Sequence, residues 1–128
     1  MGSFNQILDE HATCRDMFEY FFDLSPSDVA VLYSLTRDTC ETLDDIAMKI
    51  QKDRTTVFRS LQRLVGTGLV TKKKNVMERG GYYYSYTRIS SAKISDLINE
   101  KEKAFHAVLQ CLLNDIDKEF KHEIYQKY

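Results

Sequence analysis

At 128 residues, with 43% apolar and 29% charged side chains and a formal net charge of −1, the chain has the size and make-up of one globular domain with a helix or two appended. No run approaches the roughly 18 apolar residues that a membrane-spanning helix needs, so a soluble protein is expected. The three cysteines, Cys14, Cys40 and Cys111, are odd in number, widely spaced and without a CxxC pair, which argues against a disulfide framework or a structural zinc site.

Near neutrality conceals a segregation of sign. Residues 1–51 carry three basic and ten acidic side chains, residues 52–88 nine basic and two acidic, and the remaining forty sum to −1. A middle segment at +7 is the electrostatic footprint of a polyanion binder. Charge runs are usually only solvated surface, so the pattern of elements has to decide between the two.

The opening "MGSFNQ" lacks the basic and apolar regions of a secretory leader, and position 6 is Gln where a myristoylation signal wants Ser or Thr, so a cytoplasmic location is expected. Residues 1–24 are acidic and aromatic (Phe4, Ile7, Leu8, Met17, Phe18, Phe21, Phe22) and read as an N-terminal helical segment for core packing or dimerisation. "HATC", His11 to Cys14, offers two metal ligands but no second pair accompanies it, and no metal or cofactor is expected.

In "LSPSDVAVLYSLT" Ser25 is placed as an N-cap, Pro26 as the first helical residue and Asp28 as the closing member of a capping box. Leu24 and Val29 fit a hydrophobic staple, and Val29, Leu32 and Tyr33 form a buried face out to about Thr36. "TLDDIAMKIQ" repeats the device with Thr42 and Asp45, its apolar Leu43, Ile46, Ala47 and Ile50 falling at helical spacing. Asp53 then caps a third helix whose apolar positions are Val57, Phe58, Leu61, Leu64 and Val65, and Gly66 and Gly68 are expected to stop it. Two short helices joined tightly, the second amphipathic, form a helix-turn-helix.

Beyond the glycines, Leu69 to about Val76 and Tyr82 to about Ile89 flank a polar turn, "ERGG", and read as a β-hairpin. From Ser90 a long helix is expected, with Ile94, Ile98, Lys101, Phe105, Val108, Leu112, Ile116 and Phe120 three or four apart in one stripe. A stripe of that length needs a partner surface, either the N-terminal segment or a second copy of the chain. The expected fold class is mainly α with a small β-hairpin (α+β): a winged helix-turn-helix core over 25–89, flanked by the N-terminal segment 1–24 and a C-terminal dimerisation helix over 90–128. Ile94, Ile98, Phe105, Val108, Leu112 and Ile116 are the dimerisation candidates.

On a helical wheel the third helix turns Thr55, Thr56, Arg59 and Arg63 away from its apolar side, with Arg54 in the first turn. Guanidinium forks and short hydroxyls suit guanine edges and phosphates, so Arg54, Thr55, Thr56, Arg59, Ser60 and Arg63 are the candidate DNA-binding residues of a major-groove helix. In the wing, Lys72 and Lys74 share a face that Lys73 does not, and Arg79 lies at the turn, within reach of phosphates or a narrow minor groove. The tyrosines at 82, 83, 84 and 86 are read as cross-strand and core packing rather than as a stacking platform. No catalytic motif is present, and His11, His106 and His122 sit on expected helices without an acid or nucleophile partner. An enzyme is not expected.

The segment "LDDIAMKIQKDRTTVFRSLQRLVGTGLV" resembles the winged-helix core of small prokaryotic transcriptional regulators, especially archaeal TrmB-like and MarR-like proteins. Thr55, Thr56, Val57, Phe58, Arg59, Leu61, Leu64, Gly68, Leu69 and Val70 match their recognition-helix pattern, and the likeness extends over about residues 24 to 89. The resemblance implies a homodimer on a pseudo-palindromic double-stranded operator, with Arg54, Thr55, Thr56, Arg59 and Arg63 in the major groove. Full-length TrmB proteins carry a sugar-binding domain after the wing; a single helix is expected here instead, so a sugar effector is not implied. Two other readings stand beside a DNA-binding regulator: a protein-interaction module of a larger assembly such as the transcription machinery, and a thiol-based redox switch using Cys14, Cys40 or Cys111.

Overall fold

In a computed structural model, residues 3–127 are described, with side chains as far as residue 121, so the side chain of His122 lies outside the description. Among the described residues, six helices and three strands follow in the order α1 (Phe4–Leu8), α2 (Cys14–Phe22), α3 (Pro26–Ser34), β1 (Glu41–Thr42), α4 (Leu43–Ile50), α5 (Arg54–Thr67), β2 (Val70–Val76), β3 (Tyr82–Arg88) and α6 (Ser91–Lys127).

Local sequence sets the helix starts. Ser3, Thr13, Ser25 and Thr42 each accept a hydrogen bond from the N–H three residues on, while Gln6, Asp16, Asp28 and Asp45 return a side-chain oxygen to the cap N–H. Asp53 caps α5 by accepting from the Thr56 N–H. Gly66 does not stop this helix: it lies inside α5, and the chain turns only at Gly68, whose φ of 86° is the left-handed conformation a helix C-cap requires.

The expected hairpin is present with each strand a residue shorter, and it is not alone. β1 pairs with β3, giving a three-stranded antiparallel sheet in the order β1-β3-β2, with Glu41 opposite Tyr86 and Thr42 opposite Ser85. Across the wing, Lys72 faces Tyr86, Lys74 faces Tyr84 and Val76 faces Tyr82. The tip closes with Met77 N–H donating to the Gly81 carbonyl, and both Gly80 and Gly81 have positive φ.

The core gathers Leu24, Val29, Val31 and Leu32 around α3, Ile46 from α4, Val57, Leu61 and Leu64 from α5, and Leu69, Val70 and Tyr86 from the sheet side, each at most 5% exposed. Burying each of the leucines contributes about 2–3 kcal/mol. Two apolar side chains depart from the periodic reading: Tyr33 is 44% exposed beneath the Arg15 guanidinium, and Phe58 is 39% exposed. His11 falls in the turn between α1 and α2 rather than on a helix, because Thr13 begins α2.

The chain divides into two compact units, one ending at Ile94 and the other beginning at Ser95. The first contains α1 to α5, the sheet and the first residues of α6; the second is the remainder of α6. Ile94 is buried within this description, 9% exposed, and is therefore corrected from interface candidate to core residue. Ile98 is half-buried, whereas Phe105, Val108, Leu112, Ile116 and Phe120 are between 46% and 61% exposed.

Candidate nucleic-acid interface

The outer side of α5 is a ridge of Thr55, Arg59 and Gln62, four and three residues apart and all exposed. Arg59 has no ion-pair partner among the described residues. Gln62 escaped the sequence reading because charge was its guide, yet an amide on this ridge suits an adenine edge as a guanidinium suits guanine. Its position seven residues after Thr55 was the signal that would have found it.

Two expected members of that face turn inward. Ser60 is fully buried and its hydroxyl donates to Asp28 Oδ1 at 2.7 Å. Arg63 forks onto the same carboxylate, Nε to Oδ2 at 2.9 Å and Nη2 to Oδ1 at 2.6 Å. The wheel gave Arg63 the correct angle but not the destination of a long side chain, which reaches across to α3. Burial pushes the Asp28 carboxyl up, but hydrogen bonds from Arg63, Ser60 and the Ser25 N–H, with the charge of Arg63, outweigh it and hold the group at about 2. Asp28 is thus both the cap partner of α3 and the anchor that fixes α5 against it.

Other candidates are partly engaged. Arg54 Nε donates to Asp44 Oδ1 at 2.6 Å, both side chains about 70% exposed, and the Thr56 hydroxyl donates to Asp53 at 2.5 Å. Lys52 donates to the Ser27 hydroxyl, and Arg88 to the Ile89 carbonyl. Of the nine basic residues in 52–88, those without a carboxylate or other hydrogen-bond partner among the described residues are therefore Arg59, Lys72, Lys73, Lys74 and Arg79. Arg79 is exposed at the wing tip, as expected.

Between the first turn of α5, the start of α4 and strand β3 runs an open groove of about 540 Å³, lined by Thr42, Asp44, Arg54, Thr55, Phe58 and the tyrosines 82, 83, 84 and 86. Helix α5 and the wing therefore border a common concavity. Elsewhere, Cys14, Cys40 and Cys111 are exposed and unpaired, and among the described residues no three His, Cys, Asp or Glu side chains are grouped to hold a metal. Among the described residues no helix is long and apolar enough to cross a membrane.

A helix-turn-helix extended by a β-hairpin defines a winged-helix protein. The family described as sugar-specific transcriptional regulator TrmB matches residues 18–91, more than half of the chain, and the chain belongs to that family. Two proteins of Methanocaldococcus jannaschii, both called uncharacterized, are similar: MJ1503 is 35% identical over 79 residues, 62% of this chain and 60% of its own length, and MJ1082 is 32% identical over 88 residues, 69% and 72%. The chain thus spans less than two thirds of the first of them.

Among solved structures, a possible transcriptional regulator from Methanosarcina mazei superposes with a TM-score of 0.73 at 21% identity, covering 84% of this chain and 93% of that one. The ST1889 protein of Sulfolobus tokodaii gives 0.59 at 24% identity, covering 74% and 93%. A complex of S. aureus MepR with DNA gives 0.51 at 20%, covering 88% and 97%. At these identities the likeness is one of fold. Family and fold are those of transcriptional regulators, which are not enzymes.

Proposed function

We propose that the protein is a dimeric, sequence-specific regulator that binds a pseudo-palindromic double-stranded DNA operator, with α5 in the major groove and the wing on the backbone or minor groove of each half-site. The observation that carries this reading is the exposed Thr55–Arg59–Gln62 ridge, which stands beside a wing bearing Lys72, Lys74 and Arg79 and has no carboxylate of its own. Its side chains match base edges, and those of the wing match phosphates. The exposed apolar side chains of α6 support the dimer: Phe105, Val108, Leu112 and Ile116 repeat at helical spacing and fit a second copy of the same helix.

Selection of bound duplexes from a random pool, followed by titration of the recovered sequence, tests the proposal. Arg59→Ala is expected to weaken binding to that duplex by about 1–3 kcal/mol while leaving melting temperature and oligomeric mass unchanged. Equal affinity in the variant would remove α5 from the groove. A protein-interaction module, by contrast, would recover no sequence and bind duplexes weakly.

Asp44 acts against this binding, because it holds the Arg54 guanidinium that DNA would otherwise take. An exposed pair of this kind is worth at most about 1 kcal/mol, so Asp44→Asn is expected to raise affinity for duplex DNA by a factor of about two to five. Titrations of variant and wild type at matched salt check it; no gain would mean that Arg54 never leaves Asp44.

A further inference from the structure

The lysines and tyrosines of the wing form a ladder. In the antiparallel register Lys74 is opposite Tyr84 and Lys72 opposite Tyr86, yet each ammonium leans to the diagonal neighbour. Lys72 Nζ lies 4.0 Å from the centroid of the Tyr84 ring and Lys74 Nζ lies 4.2 Å from that of Tyr82. The two rings meet edge to face, 5.5 Å apart. Both contacts are cation–π contacts, and each rung repeats the other two residues along the strand.

A lysine on a solvated strand samples many rotamers and loses that freedom when it meets a phosphate, at a cost in affinity. A lysine already resting on a ring has lost part of it beforehand. Two residues of strand separate the rungs by about 7 Å, comparable with the spacing of successive phosphates on one DNA strand. Tyr82 and Tyr84 also line the groove shared with Arg54 and Thr55, so the ladder faces the side on which the first turn of α5 lies. Lys73, paired with Ser85, alternates to the other face.

We propose that Tyr82 and Tyr84 are positioning residues that hold Lys72 and Lys74 ready for two consecutive phosphates of one strand of duplex DNA. The proposal rests on the reading of α5 and the wing as a DNA-binding surface. The rings carry no charge to the phosphates; they supply order to the ammonium groups that do.

The test is the salt dependence of binding of the full chain to a fluorescently labelled mixed-sequence duplex, where phosphate contacts dominate. Lys72→Gln and Lys74→Gln are each expected to reduce the log–log slope by about 0.9, and Lys73→Gln to leave it unchanged. Tyr82→Leu and Tyr84→Leu should each weaken binding about two- to fivefold with the slope retained, because the charge remains. Tyr82→Phe and Tyr84→Phe keep the ring and should bind as wild type. Leucine variants with wild-type affinity overturn the proposal, and so do phenylalanine variants as weak as the leucine ones, which would make the hydroxyl the contact. A Lys73→Gln slope as reduced as that of Lys72→Gln overturns the facial assignment. If wild type binds and Arg59→Ala weakens it while the leucine variants are neutral, the ladder alone fails; if wild type shows no salt-dependent binding, the DNA reading fails with it.

Discussion

Asp28→Asn is expected to lower the unfolding free energy at neutral pH by about 3 kcal/mol, measured as a shift in urea midpoint at constant slope. The carboxylate is 1% exposed, and the amide that replaces it retains shape and one acceptor oxygen but loses the charge and turns the second acceptor into an NH2 donor that faces an Arg63 or Ser60 donor. The figure lies at the low end for a broken buried pair because the Arg63 side chain is 51% exposed and regains water. A companion expectation follows from protonation. The folded carboxyl titrates near 2 and the unfolded one near 3.8, so the unfolded chain binds the proton first as pH falls. The stabilisation is complete above about pH 4 and is lost progressively toward pH 2, about 2 kcal/mol in all. Asp28→Asn should lack that portion of the acid transition. An unchanged midpoint, or an acid transition identical in the two proteins, would mean that the fork from α5 contributes nothing to holding α3 and α5 together.

Phe105→Glu is expected to convert the proposed dimer into monomers, read as half the mass in sedimentation equilibrium. Symmetry places the substitution twice in each interface, so two carboxylates enter an apolar seam. About 2 kcal/mol for each amounts to about 4 kcal/mol, or about a thousandfold in the dissociation constant. Val108→Glu, one helical turn on, should act alike. Both residues are more than half exposed, so neither change disturbs the packing of the single chain. A variant that keeps the mass of two chains would place the interface elsewhere.

Much of this architecture was legible in the sequence because its signals are local. Ser25 with Asp28, Thr42 with Asp45, and Asp53 each announce a helix within four residues, and Gly80 and Gly81 announce a turn. What escaped is tertiary. Asp28 was fully accounted for by its own capping box, so nothing in its neighbourhood pointed to Ser60 and Arg63, more than thirty residues away. Strand β1 is two residues long, too short for any alternation to show, and exists because β3 offers it an edge. On the candidate surface, Arg59, Lys72, Lys74 and Arg79 stay exposed; Ser60 does not, since a helical wheel cannot tell a small polar residue at the rim of the apolar side from one inside it. Charge counting overstated the surface for a related reason: four of the nine cations are met by carboxylates, a hydroxyl or a carbonyl of the protein itself.

Thr42 occupies two roles at one backbone position, the last rung of β1 against Ser85 and the cap of α4. A hairpin tethered only by its own ends would swing as a loose flap. This one is fixed through Thr42 to α4, the helix before α5, so the hairpin and the helix pair are joined at a residue that belongs to both.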